Sequence, residues 1–131
     1  MPNKRTERSY LWIRRCAEAL LAIVIVATGW SHGVLYVEGG SMEPALSAGD
    51  VIVYRRPGAV WQRGDLVVFE HQGSLVVHRV AGLLRGGALR TRGDANESLD
   101  VDPVELDDVR GKVLVVVPAG RFAAWLAASL D

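Results

Sequence analysis

The feature that most constrains the fold is a series of short β-branched runs that fills the chain from Asp50 onward. Gly, Pro and Asp separate these runs; such residues favour turns, whereas Val, Ile and Tyr favour strands. The pattern therefore predicts a small, mainly antiparallel β domain. The predicted strands are residues 51–54, 66–70, 75–80, 88–92 and 112–117.

One predicted hairpin bears on two polar residues. The glycines at 86–87 are typical of a two-residue hairpin turn. Continued along both strands, that register sets His78 opposite Ala95 and Asp94 beside His78. Side chains alternate between the faces of a strand, so Asp94 would point away from His78 unless Gly93 interrupts the strand. The sequence thus predicts that the side chain of Asp94 lies near His78 on condition that the strand ends at Gly93.

An apolar segment at residues 17–36 precedes the β domain. As a helix its roughly 20 residues would extend about 30 Å, the thickness of the hydrocarbon core of a membrane. The residues before it are rich in Lys and Arg, which predicts a cytoplasmic N-terminus and an exported remainder. A cleaved signal peptide is the alternative, and it also exports the remainder. In the interpretation with a membrane anchor, the chain has four parts. Residues 1–16 are a basic cytoplasmic start, 17–36 a transmembrane helix, 37–120 an extracytoplasmic catalytic β domain, and 121–131 a short apolar C-terminal helix.

Composition narrows the classes of function. The formal net charge is zero, and no basic surface suited to nucleic acid emerges. Cys16 is the only cysteine in the sequence, so an intrachain disulfide or a multi-cysteine metal site is impossible. The roughly 95 residues after the apolar segment allow one small domain and no second soluble domain.

Ser41 is the candidate nucleophile. It follows Gly39 and Gly40 and precedes Pro44 by three positions. Glycine permits an open turn, and proline lacks an N–H donor, so we expect Ser41 in a loop. Downstream, His78 and the acidic stretch that begins at Asp94 provide the residue types of a base and its orienting carboxylate.

Histidine is the candidate base because neither lysine is an obvious partner for Ser41. Lys4 would lie across the membrane, and Lys112 begins a late strand. A neutral imidazole, with a reference pKa of ~6.5, can accept the serine proton at physiological pH. His71 falls in a predicted turn, where we expect it to be solvated.

The motifs occur in an order that resembles the signal peptidase I family, and in particular its Ser-His form from the endoplasmic reticulum, archaea and some Gram-positive bacteria. The matching segments are residues 40–44, 49–53, 64–67, 78–80, 93–96 and 111–113. The resemblance implies a membrane-anchored serine endopeptidase, with Ser41 as nucleophile and His78 as base. It also points to Asp94 and Asp100, of which we favour Asp100 as the residue that orients His78.

The family resemblance implies further properties. No metal or organic cofactor is implied. The implied substrates are signal peptides of exported preproteins, with small residues first and third before the cut, bound as an extra strand at a sheet edge. Membrane lipid is the other implied partner, and the implied location is a plasma membrane. The excess of Arg over Lys favours a bacterial source.

One position departs from the family, and two alternatives remain. The family often carries Ser or Thr where this chain has Gly39, so the oxyanion site would depend mainly on backbone N–H groups such as that of Ser41. Gly39 favours the first alternative, a catalytically silent, membrane-anchored β module that binds exported peptides or partner subunits. The second, an autoproteolytic repressor-like peptidase, is disfavoured by the apolar segment and by the missing lysine base.

Overall fold

The computed structural model describes residues 4–56, 58 and 60–129. Its contacts divide the chain into two compact units, Met1–Ser31 and His32–Asp131. The first unit is helical. The second contains all six strands and every candidate catalytic residue.

The first unit is helix α1, Lys4–Ser31. Our prediction that one helix continues to residue 36 is wrong, because His32–Tyr36 forms strand β1. Ser31, His32 and Gly33 interrupt the apolar residues at this boundary, whereas the prediction treated residues 17–36 as one span. These residues form a strand because they pair with Val51–Arg55. Gly33 lies opposite Tyr54 in this pairing, and an added Cβ at Gly33 would lie only 2.2 Å from the Tyr54 ring.

Among the described residues, no helix is both long enough and apolar enough to cross a membrane. Several apolar side chains of α1 are nevertheless exposed: Leu20, Leu21, Ile23, Val26 and Trp30.

The second unit is one six-stranded sheet with a terminal helix. Its elements after β1 are β2 Val51–Arg55, β3 Leu66–His71, β4 Ser74–Leu83, β5 Leu89–Arg92, β6 Val109–Val117 and α2 Ala119–Ala128. The order of the strands is β1-β2-β6-β3-β4-β5, and every neighbouring pair is antiparallel. This confirms the predicted mainly antiparallel β fold, to which β1 is an addition.

The register between β4 and β5 differs from the prediction. Leu83 pairs with Leu89, and a shift beyond Gly82 places Arg79 opposite Arg92. Strand β5 ends at Arg92, so no residue of the following loop pairs with His78 in the sheet. The predicted pairing of His78 with Ala95 is wrong, because the turn already pairs Leu83 with Leu89 instead of Arg90 and the β-bulge shifts the register by one more residue.

Two apolar clusters hold the parts of the β domain that carry the candidate site. The first includes Met42 and Leu46, which are 1% and 0% exposed and anchor the loop between β1 and β2. The second includes Val104, whose backbone exchanges two hydrogen bonds with Leu89 and so fastens the long segment between β5 and β6. Burial of these side chains fixes both segments against the sheet.

Candidate active site

Ser41 lies in a hydrogen-bonded turn between β1 and β2, as its glycines and proline predict. The Glu43 N–H donates to the carbonyl of Gly40 at 3.1 Å, and the Leu46 N–H donates to that of Met42 at 3.0 Å. The carbonyl of Ser41 accepts the N–H of Ala95 at 2.9 Å. The turn is therefore tied both to the core below it and to the segment that follows β5.

His78 lies on β4 and contacts Ser41 and Asp100 with its two ring nitrogens. Its Nε2 is 3.2 Å from the Oγ of Ser41, and its Nδ1 is 2.6 Å from Oδ2 of Asp100. The side chains of His78 and Asp100 are only 12% and 22% exposed. With the proton on Nδ1 donated to Asp100, Nε2 offers a lone pair to the hydroxyl of Ser41.

Asp100 is held by Thr91, a residue that sequence reasoning missed. The hydroxyl of Thr91 donates to Oδ2 of Asp100 at 2.6 Å, and the N–H of Asp100 donates to the carbonyl of Thr91 at 2.9 Å. Thr91 is fully buried on β5, where it alternates with half-buried Arg90 and exposed Arg92 and faces inward like Leu89. A polar residue at an inward strand position is the signal that could have identified it.

Asp94 pairs with Arg79 and makes no hydrogen bond to His78. Nε and one terminal nitrogen of Arg79 donate to the two carboxylate oxygens of Asp94, at 2.8 and 2.6 Å. The other terminal nitrogen donates to the carbonyl of Gly64 at 2.8 Å. These hydrogen bonds hold the pKa of Asp94 below its usual value and that of Arg79 above it. Strand β5 ends before Gly93, which is the condition for proximity of Asp94 to His78, and Asp94 pairs with the residue that follows His78.

Gly93 permits the close approach of the loop to Ser41. A Cβ added at position 93 would lie 2.6 Å from the backbone carbonyl oxygen of Ser41 and 2.8 Å from the side-chain nitrogen Nδ2 of Asn96. A side chain there would force the turn away from Ala95. Gly39 is the opposite case, because an added Cβ would meet nothing within 4 Å.

Other candidate groups lie away from Ser41. Nζ of Lys112 is 2.8 Å from Oδ2 of Asp65 and is occupied by that ion pair. His71 is exposed, as predicted, but it is the last residue of β3 and pairs with Ser74 instead of lying in the turn. Among the described residues, no group of three or more His, Cys, Asp or Glu side chains could hold a metal ion.

Comparison with curated proteins identifies two kinds of relative. The chain is 30% identical to Signal peptidase I W of Bacillus subtilis over 107 residues, which are 71% of this chain and 56% of the relative. It is 35% identical over 82 residues to the signal peptidase complex catalytic subunit SEC11 of Saccharomyces cerevisiae, which covers 58% of this chain and 49% of the relative. The chain spans about half the length of these relatives.

These similarities confirm the resemblance to signal peptidases found in the motifs. A comparison with protein families gives a match that extends over most of the chain, from residue 13 to residue 114. This range includes Ser41, His78, Asp94 and Asp100 together with all six strands except the end of β6. The chain therefore belongs to the Peptidase S24-like family.

Proposed function

We propose that this protein is a serine endopeptidase that removes signal peptides from exported proteins. The observation that carries the proposal is the unbroken series of contacts from Ser41 through His78 to Asp100. A nucleophile, a base within reach of it and a carboxylate on the far nitrogen of the base form the arrangement used for acyl transfer. Both named relatives are signal peptidases, which supports the choice of substrate.

In the proposed mechanism, Ser41 Oγ attacks the scissile carbonyl while His78 Nε2 takes the hydroxyl proton. Asp100 accepts the Nδ1–H, holds this tautomer and stabilises the imidazolium. The carbon–nitrogen bond then breaks, and His78 gives the proton to the leaving amine. In the second half, His78 takes a proton from water, the hydroxide attacks the acyl-serine, and the proton returns to Ser41 Oγ.

The negative charge on the substrate oxygen needs hydrogen-bond donors. Within the part of the chain that the structure describes, the backbone N–H of Ser41 donates to no protein group. This N–H is therefore available to the oxyanion, and Gly39 offers no hydroxyl beside it. We assign the oxyanion contact to the backbone N–H of Ser41.

Membrane attachment through the N-terminal segment is the second part of the proposal. The described side chains of α1 expose Leu20, Leu21, Ile23, Val26 and Trp30, and Arg14 and Arg15 flank this apolar part on the N-terminal side. Long basic side chains can extend toward lipid headgroups, and a basic flank favours the cytoplasmic side. The β domain would then act outside the plasma membrane.

Cleavage of a panel of preproteins in detergent, with wild type beside Ser41→Ala, tests the peptidase. We expect cleavage after a small residue by wild type only, and a double variant with His78→Ala no worse than either single variant. Cleavage that persists in Ser41→Ala, or its absence in both proteins, would reject the assignment and favour a silent binding module.

Fractionation of membranes tests the anchor separately. The protein should remain in the pellet after an alkaline carbonate wash, with its β domain accessible to external protease. Recovery of a soluble product that begins near Trp30 would indicate a cleaved signal peptide and leave the peptidase proposal intact.

A further inference from the structure

A large cavity opens beside the catalytic histidine. It has a volume of about 940 Å³ and lies entirely within the β domain. His78 and Asp100 form part of its wall, while Phe69, Val76 and Val104 contribute apolar surface. Its size falls in the range of pockets that bind small molecules or short peptide segments, roughly 300–1,000 Å³.

The direction of proton transfer indicates which part of a substrate would enter this cavity. His78 must return the proton from Nε2 to the leaving amine, so that nitrogen has to approach the imidazole ring. The chain that follows the scissile bond therefore departs from beside His78. Ala95 and Asn96 also line the cavity, and the N–H of Ala95 is bonded to the carbonyl of Ser41. The cavity thus begins at His78 and at a residue bonded to the turn that carries Ser41, while Ser41 itself is not part of its wall.

The charge of the cavity wall indicates what it would accept. Glu97, Asp102 and Asp108 line it together with Glu70, and no Lys or Arg does so. Glu70 is paired with Arg110 at 2.6 Å, but among the described residues no cation pairs with the other three carboxylates. Carboxylates that line a cleft without counterions attract a positive charge into it.

We propose that this cavity binds the first residues after the scissile bond and prefers a basic side chain there. The inference rests on the proposed peptidase function, because it assigns one side of the same reaction. Apolar surface on Phe69 and Val76 would contact the aliphatic part of a lysine or arginine, while Glu97 and Asp102 would face its charge.

The first test uses peptide substrates that are identical up to the scissile bond and carry Lys, Gln or Glu in the second position after it. We expect kcat/KM to fall in that order, with about a fivefold difference between Lys and Glu, as expected for exposed charge pairs. Added salt should reduce this difference, because exposed charges are screened.

A matched pair of double variants assigns the preference to the cavity. Glu97→Gln with Asp102→Asn should abolish the preference for Lys, while cleavage of the Gln peptide continues. Glu105→Gln with Asp107→Asn removes the same charge from the same segment but outside the cavity wall, and should retain the preference. Equal loss in both pairs would overturn the inference, because it would indicate net charge alone.

A binding measurement separates failure of the inference from failure of the proposed function. The fragment released by cleavage, with a free N-terminus and a lysine in second place, is titrated into the Ser41→Ala protein. We expect binding that weakens in the Glu97 and Asp102 double variant and not in its control. If preproteins are cleaved but Lys and Glu peptides react equally, the inference is wrong and the peptidase stands. If no preprotein is cleaved, the proposed peptidase function is wrong. If, in addition, the fragment binds equally well with and without the Glu97 and Asp102 substitutions, the proposed role of the cavity is rejected as well.

Discussion

At the scale of single residues, the two aspartates have separate partners. Asp100 contacts the ring of His78 and the hydroxyl of Thr91, whereas Asp94 forms its ion pair with Arg79. We predict that Asp100→Asn remains folded but loses up to roughly 10⁴-fold in kcat, because an amide favours the wrong imidazole tautomer. Asp94→Asn should lose stability more than rate. Values of kcat and Tm for both variants decide this, and the reverse ranking would give the orienting role to Asp94.

Gly39 provides a gain-of-function prediction at the same scale. An added Cβ at position 39 meets open space, so Gly39→Ser can place a hydroxyl near the proposed oxyanion without a clash. Because one such donor is worth about 10²–10³ in kcat where it has been removed from other enzymes, we expect kcat to rise while KM changes little. Gly39→Ala adds the same carbon without the hydroxyl and is the control. An equal rise in Gly39→Ala would reject hydrogen bonding as the cause.

At the scale of elements, helix α2 is attached to the loop that carries Ser41. The N–H of Gly120 donates to Asp50 at 3.1 Å, and Arg121 donates to the carbonyl of Ala45 at 3.2 Å. Asp50 is fully buried and also accepts the N–H of Ser47 at 2.9 Å. The start of α2 thus braces the turn that follows Ser41.

This attachment predicts that Gly120→Ala is damaging. The added Cβ would lie 2.0 Å from the carbonyl oxygen of Ala48, so the helix start or the loop must move. We expect Tm to fall by several degrees and kcat to fall with it, as measured by thermal unfolding and peptide cleavage. Gly82→Ala is the matched control, since a Cβ there meets nothing within 4 Å. Unchanged kcat in a folded Gly120→Ala protein would reject the brace.

The elements also indicate how far sequence reasoning extends. The β-branched runs predicted five strands, and the glycine-rich turn predicted the loop at Ser41. Strand β1 was missed because Val34, Leu35 and Tyr36 were assigned to the apolar helix, and the partner of His78 was misplaced because the turn pairing and a bulge near Ala81 both shift the register. Thr91 was missed because its partner Asp100 lies beyond the end of β5, and only the folded segment brings the two side chains together.

At the scale of the whole molecule, the candidate site depends on contacts across the entire sheet. Ser41 lies between β1 and β2 at one edge of the strand order, His78 lies on β4, and Asp100 follows β5 at the other edge. No pair of consecutive strands contains all three. The site should therefore form only with the complete β domain, and interactions that stabilise this domain also maintain the site.

The Asp94–Arg79 pair predicts how that stability responds to acid. Its hydrogen bonds lower the pKa of Asp94 in the folded protein relative to about 3.9 in the unfolded chain. The stabilisation is therefore fully present well above pH 4 and is lost as pH falls through the lower folded-state pKa. We expect Tm of wild type to fall more steeply than that of Asp94→Asn as pH falls below about 4, so that the difference between the two proteins narrows. Asp107→Asn, which removes an exposed carboxylate, should follow wild type, and parallel curves for all three proteins would show that Asp94 contributes no acid-sensitive stability.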